Sequence, residues 1–287
     1  MNLRNLILLL ALFLSPFANA IPSYTINSDG TVSDATTGLT WMRCSMGQTW
    51  TGSTCSGSAS EYIWSDAVAL TTNFASYHDW RLPNVRELLT IVDRTVINPA
   101  INTTVFPNTP ASRFQSSSEY ADVNADFGAP SAELNAWLVN FEAGFASFGE
   151  YNQGYGDKYH GFQVRLVRDG RSFSLLGLSQ LSTDYTDNGD GTVAHTPTGL
   201  IWKRCSEGQI WTGSTCSGSA TTYTWDGAMA LTSNFAGNSD WRVPTEEELI
   251  SLIDFTIPAP GPTINTILFP NTYAGMFLVD FGLRQHA

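Results

Sequence analysis

The sequence predicts an α+β fold in which a small antiparallel sheet carries two helices to one side, built twice in one chain. Three observations predict it. The first is an internal repeat: "TGLTWMRCSMGQTWTGSTCSGSASEYIWSDAVALTTNFA" from Thr37 returns as "TGLIWKRCSEGQIWTGSTCSGSATTYTWDGAMALTSNFA" from Thr198. A period this long marks two domains of ordinary size, not a solenoid. The second is period-two alternation in "GLTWMRC" and "GFQVRLVR", the signature of half-buried strands, with "AWLVNF" before Glu-Ala-Gly as one arm of a hairpin. The third is "DWRLPNVREL" at Asp79, returning as "DWRVPTEEEL" at Asp240. Each joins Trp-Arg-x-Pro to a helix-start signal.

The chain opens with "MNLRNLILLLALFLSPFANA". One arginine, an apolar run from Leu6 to Leu14 and a small-x-small ending at Ala18-Asn19-Ala20 form the pattern of a secretory signal peptide over residues 1–20. That run is too short to span a bilayer, and no later segment approaches ~18 uninterrupted apolar residues. The expectation is an exported chain without a transmembrane segment, beginning near Ile21 and located in the periplasm, at the cell surface or outside the cell. The first repeat is expected over residues 21–169, a Ser-rich linker over 170–185 and a second repeat over 186–287.

Each repeat begins with a turn, "NSDGT" at Asn27 and "DNGDGT" at Asp187. Asp-Gly supplies the positive φ angles of a β-hairpin. A calcium loop fits less well, because alternate positions from Asp187 are Asp, Gly and Gly, where oxygen ligands are needed. The strand "GLTWMRC" follows, with Leu39, Trp41 and Arg43 on one face. The four cysteines, Cys44, Cys55, Cys205 and Cys216, fall in matched pairs, which in an exported chain favours one disulfide inside each repeat. The rival is a four-thiolate zinc site joining the repeats, although the close ligand pairs of zinc ribbons are missing.

A first helix is expected over "WSDAVALTTNFA", with Trp64, Ala67, Val68, Thr71 and Ala75 at helical spacing. A second starts after Pro83 or Pro244, which hold the entry extended. Asn84 or Thr245 caps it, and Glu87 or Glu248, three residues on, completes a capping box. Trp80 and Trp241 are expected to cover the joint between the two helices, with Arg81 and Arg242 packing there and pairing with a local carboxylate or carbonyl. The repeated motif thus reads as scaffold. "AWLVNF" then forms one arm of a hairpin. In "GFQVRLVR", Phe162, Val164 and Leu166 alternate with Gln163, Arg165 and Val167 as a half-buried strand.

The second copy is incomplete. After "LFPNT" it jumps to "MFLVDFG", so the residues around the first copy's "SSS" run are missing, as is any counterpart of Gly161 to Arg168. The stretch from Phe277 to Phe281 is therefore expected to lack a neighbour, and an unpaired edge invites pairing with another chain. A homo-oligomer through this incomplete repeat is one expectation.

Composition narrows the function. Fourteen basic residues against twenty-six acidic ones leave a net charge of −12, which makes nucleic acid a poor partner. No nucleophile elbow, His-Glu-x-x-His or phosphate loop occurs, and no histidine recurs at a matched position. The chain reads as a non-catalytic module without cofactor or metal. Candidate ligand-binding residues are Tyr151, Tyr155, Lys158 and Tyr159 in the polar loop "YNQGYGDKYHG", because aromatic faces and polar loops suit glycans.

Taken in order, "TGLTWMRCSMGQTW", the helix at Trp64, "DWRLPNVREL", "INTTVFPNT", the serines 116–118, "AWLVNF" and "VRLVR" resemble the C-terminal domain of the Lcl collagen-like adhesins. The likeness covers the first repeat and about two thirds of the second. The helix-entry core also resembles, more distantly, the C-type-lectin-like fold. The adhesin resemblance implies an extracellular module that binds sulfated glycosaminoglycans and trimerises. The acidic charge points instead to a neutral or weakly charged glycan, and Gln115 stands where the family commonly carries a tryptophan. The alternative is a structural or assembly component of the cell envelope.

Overall fold

A computed structural model describes residues 6–7, 11–13, 24–120, 135–147, 157–169, 178–180, 182–257, 261–275 and 277–280. The chain divides into two compact units, Asn19–Leu178 and Met1–Ala18 with Ser179–Ala287. Small sheets and short helices make both units α+β.

In the first unit the expected hairpin joins Tyr24–Ile26 to Thr31–Asp34. Asp29 accepts from the backbone and hydroxyl of Thr31 at 3.0 and 2.7 Å. Gly30 takes φ +87°, and a Cβ there would meet the Trp50 ring at 2.7 Å, so the turn requires glycine. Leu39–Met42 follows, and Val167–Asp169 pairs with its far edge, giving four antiparallel strands. Leu39 and Trp41 are fully buried.

Five further strands form a second sheet in the order Phe145–Ser147, Ala136–Asn140, Arg113–Glu119, Phe162–Gln163 and Glu61–Tyr62. The expected single antiparallel sheet is therefore two, and Phe162–Gln163 runs parallel to Arg113–Glu119. The cause is residues 162–169, which pair with one sheet at their start and the other at their end.

Spanning both sheets also overturns the half-buried reading of that segment. Val164 and Leu166 fill a cluster with Met42, Ala67, Trp80 and Leu82, while Arg165, on the opposite side of the alternation, is equally buried. Its guanidinium donates to the carbonyls of Met42 (2.8 Å) and Arg43, to Thr109 Oγ1 (2.7 Å) and to Ser45 Oγ (3.3 Å). The rings of Phe106 and Phe114 flank it at 4.9 and 6.0 Å. Burial pushes Arg165 down to about 9, so it remains charged at neutral pH. A buried cation persists only where acceptors replace water, and here four do so.

The first helix is shorter than its hydrophobic spacing predicts, ending at Val68. The β-branched Thr71 and Thr72 and then Asn73 disfavour continuation, and a tight reversal follows between Phe74 and Tyr77, with Ala75 and Ser76 at φ 51° and 64°. The second helix, Val85–Leu89, has the predicted capping box between Asn84 and Glu87, and all five of its residues are buried. The serine run ties down this helix entrance. Ser118 Oγ accepts from Val85 N at 2.9 Å, Ser117 N donates to Pro83 O at 2.8 Å, and Ser116 donates to Trp137 O at 2.6 Å.

The cysteines pair within each repeat, Cys44 with Cys55 and Cys205 with Cys216, which excludes the four-thiolate zinc reading. Each bond staples a two-stranded ribbon, Thr49–Trp50 against Cys55–Ser56 and Ile210–Trp211 against Cys216–Ser217.

The second unit repeats the hairpin and third strand as Tyr185–Asp187, Thr192–His195 and Leu200–Lys203. Its helices are Trp225–Met229 and Glu246–Ile250. The second keeps its capping box but buries none of its residues, because no counterpart of Arg113–Glu119 covers it. An apolar cleft of about 290 Å³ opens there, lined by Leu249, Leu252, Ile253, Ile264, Tyr273 and Phe277. Contrary to the expectation that the stretch near Phe277 lacks a neighbour, Asp280 bridges Thr245 and its N–H donates to Pro244 O at 2.8 Å. It thereby replaces the Ser117 contact of the first copy; Phe281 lies outside the described residues. Two strands of this unit pair with the N-terminal segment: Thr222–Tyr223 with Leu6–Ile7 and Leu200–Trp202 with Ala11–Phe13.

Candidate functional site

The repeated Trp-Arg motif joins the helix entrance to the closing strand. Trp80 is buried, donates through Nε1 to Phe74 O at 3.1 Å and meets the Phe74 ring edge-on. Its cluster holds Ala67 of the first helix with Val164 and Leu166, and among the described residues no member of Val85–Leu89. The expected cover over a joint between two helices is thus a contact between the first helix and residues 164–166, which link two strands.

Arg81 pairs with both carboxylate oxygens of Glu87 at 2.8 and 2.7 Å, which holds its guanidinium above the ordinary arginine value. Glu87 also accepts from Asn84 N, closing the cap, while the Arg81 backbone exchanges two hydrogen bonds with Val167. Arg242, Glu248 and Thr245 repeat the cap and the ion pair in the second copy. Trp241 likewise donates to Phe235 O. Pro83 and Pro244 expose carbonyls that accept the Ser117 and Asp280 N–H groups.

Of the polar-loop candidates, Tyr151 and Tyr155 lie outside the described residues. Lys158 is occupied: its ammonium lies 3.2 Å from Glu119 and 4.2 Å from the Trp64 ring centroid. Tyr159 is exposed. Gln115 is fully buried and donates to the carbonyls of Tyr62 and His160, so that position faces the interior.

A different place in the first repeat gathers polar side chains around an exposed ring. A groove of about 550 Å³ runs along the four-stranded sheet, lined by Asn27, Thr31, Ser33, Thr40, Tyr77 and Arg168, with Ile26, Ser28 and Asp29 at the hairpin. Asn27 Nδ2 donates to Thr31 Oγ1 at 2.8 Å and Ser33 Oγ at 3.3 Å, which fixes the amide. The Arg168 guanidinium stacks on Tyr77, 3.7 Å from the ring centroid. Asp79 holds it through two hydrogen bonds of 2.9 and 3.1 Å, and Asp169 adds a third contact at 2.9 Å. The Arg168 hydrogen bond is the chief reason that the Asp79 carboxyl sits below the ordinary aspartate value, and Arg168 in turn is raised.

The second repeat does not keep all of the side chains that line this groove. Ser33, Thr40 and Tyr77 correspond to Ala194, Ile201 and Asn238, and Arg168 has no counterpart. Reading one copy could not reveal the site, but these differences between near-identical copies were the available signal.

The architecture is that of small, disulfide-stapled α+β modules in tandem. The Lcl C-terminal domain profile matches residues 30–168 and 191–279, so the chain belongs to that family, a module associated with bacterial surface adhesins. Comparison with curated proteins and with solved structures returned no match.

Proposed function

We propose that the chain is an exported, non-catalytic binding module of the cell surface, and that its first repeat recognises a neutral or weakly charged glycan in the groove beside Tyr77. The observation that carries this reading is the combination of fixed amide and hydroxyl groups with one exposed aromatic face. Sugar hydroxyls need hydrogen-bonding partners, and the apolar face of a pyranose needs a ring to lie on. Arg168 brings donors without a free positive field, since two carboxylates already face it. A sulfated polymer would require an uncompensated basic patch, whereas this chain carries a net charge of −12.

The test is binding of the full exported chain to an array of neutral, sialylated and sulfated glycans. The reading expects retention by neutral or weakly acidic structures that Tyr77→Ala abolishes. Retention confined to sulfated polymers, or unaffected by Tyr77→Ala, would refute it.

A further inference from the structure

The second repeat contains an oxygen whose counterpart in the first repeat is hydrogen-bonded and which has no partner among the described residues. Ser45 and Ser206 are equivalent, and both are almost fully buried. Ser45 Oγ accepts from Arg165 at 3.3 Å, whereas Ser206 Oγ has no hydrogen-bond partner among the described residues. A buried hydroxyl without a partner is costly, and its position indicates which group is missing. The other oxygens around Arg165, the carbonyls of Met42 and Arg43 and the hydroxyl of Thr109, correspond to those of Lys203, Arg204 and Thr272. Phe269 matches Phe106, whose ring lies against the guanidinium. The second repeat therefore retains the arginine site and lacks the arginine.

The strand positions on either side of that site are also defined. In the first repeat, Phe162 pairs with Tyr62 and Val167 with Trp41. In the second, Leu6 pairs with Tyr223 and Ala11 with Trp202. Tyr223 and Trp202 are the counterparts of Tyr62 and Trp41, so residues 6–7 and 11–13 lie in the register of residues 162–163 and 167–169. The edges on both sides of the site thus accept strands from the N-terminal segment, whose sequence from Leu6 to Phe13 contains no arginine.

We infer that the second repeat is a strand acceptor for an extended segment of another polypeptide, one carrying arginine between two aliphatic residues and docked in the register of residues 162–169. Backbone pairing along Leu200–Trp202 and Thr222–Tyr223 supplies the frame, as in other strand-addition complexes. The acceptor set around Ser206, whose Oγ has no partner among the described residues, selects arginine, and the net charge of −12 favours a basic donor. A second copy of this chain is the poorer donor, because its Val164, Arg165 and Leu166 are fully buried in its own first repeat. The inference is independent of glycan recognition beside Tyr77, which lies in the other unit.

The test uses the full chain after export, with its N-terminus read by intact mass, and two labelled peptides: GFQVRLVRDG, and the same peptide with leucine for its first arginine. The expected result is one-to-one binding of the arginine peptide, at least ~10-fold tighter than the leucine peptide, as a charged hydrogen-bond set implies. Hydrogen exchange should slow at Leu200–Lys203, and Ser206→Ala should remove much of the preference. Equal binding of both peptides would overturn the arginine site. Failure to bind would overturn the acceptor if residues 1–20 are gone, and would assign the slot to the chain's own N-terminus if they remain. Dimers that the peptide dissociates would make a second copy the donor and overturn the occupant inferred here.

Discussion

The Arg168 guanidinium stacks on Tyr77, its carbon 3.7 Å from the ring centroid, while the carboxylates of Asp79 and Asp169 bind its nitrogens. The ring is thereby fixed while still exposed, which is the state a sugar-stacking surface needs before binding. Tyr77→Ala should lower glycan affinity about 10-fold or more, equivalent to ~1.4 kcal/mol. Because the side chain is exposed, the melting temperature should barely move. Asn238→Ala at the matched position should change neither quantity. Titration calorimetry with an array-identified glycan, beside a thermal melt, checks all three.

The Asp79–Arg168 pair makes a pH prediction. Arg168 holds the Asp79 carboxyl below its ordinary value, so the contribution of the pair is fully present above the unfolded value, about 3.9. It is lost as pH falls through the lower, folded value. Glycan binding should therefore stay flat from neutral pH down to about 4 and weaken only below that. Asp79→Asn removes the charge that restrains Arg168, and should weaken binding at neutral pH while flattening the acid limb. An unchanged acid limb in Asp79→Asn would count against the pair as its cause.

What was legible in the sequence was local. The capping boxes of Asn84 with Glu87 and Thr245 with Glu248 span three residues, and the hairpin at Asp29 and Gly30 closes on itself, so spacing alone locates them. The matched cysteines were legible because the duplication pairs them. Arg165 was not, since its acceptors come from Met42, Arg43, Ser45 and Thr109, and alternation assigns such a residue to solvent. The first helix was read too long because apolar spacing continues through Thr71. Its reversal uses Ala75 and Ser76 at positive φ, residues that give no turn signal; only the second copy shows one, at Gly237. The groove assembles side chains from the hairpin, the reversal and the closing strand, which no single motif contains.

Trp80 separates architecture from recognition. It is 4% exposed and packs on Ala67, Val164 and Leu166, so Trp80→Ala leaves a cavity where the first helix meets the closing strand. The expected loss is about 3–5 kcal/mol, or roughly 10 °C for a domain of this size. Arg81→Ala should cost less, about 1–2 kcal/mol, since its partner Glu87 retains its capping bonds. Chemical denaturation followed by tryptophan fluorescence measures both. A Trp80→Ala protein with wild-type stability and no ligand binding would make the motif a site.

The equivalent serines provide an internal control for stability. Ser45 Oγ receives a hydrogen bond from a buried cation, so Ser45→Ala should destabilise the first repeat by about 1–2 kcal/mol. Ser206→Ala removes an oxygen that has no partner among the described residues. Deleting an unsatisfied buried hydroxyl is neutral or stabilising by up to about 1 kcal/mol, so the same substitution 161 positions later should have the opposite sign. Hydrogen exchange resolves the repeats within one chain: amides of Leu39–Met42 should exchange faster in Ser45→Ala, and those of Leu200–Lys203 no faster in Ser206→Ala. If a strand donor carrying arginine is added, Ser206 acquires the role of Ser45, and the cost of its removal should rise to match. Equal effects of the two substitutions in the absence of any donor would show that Ser206 already has a partner.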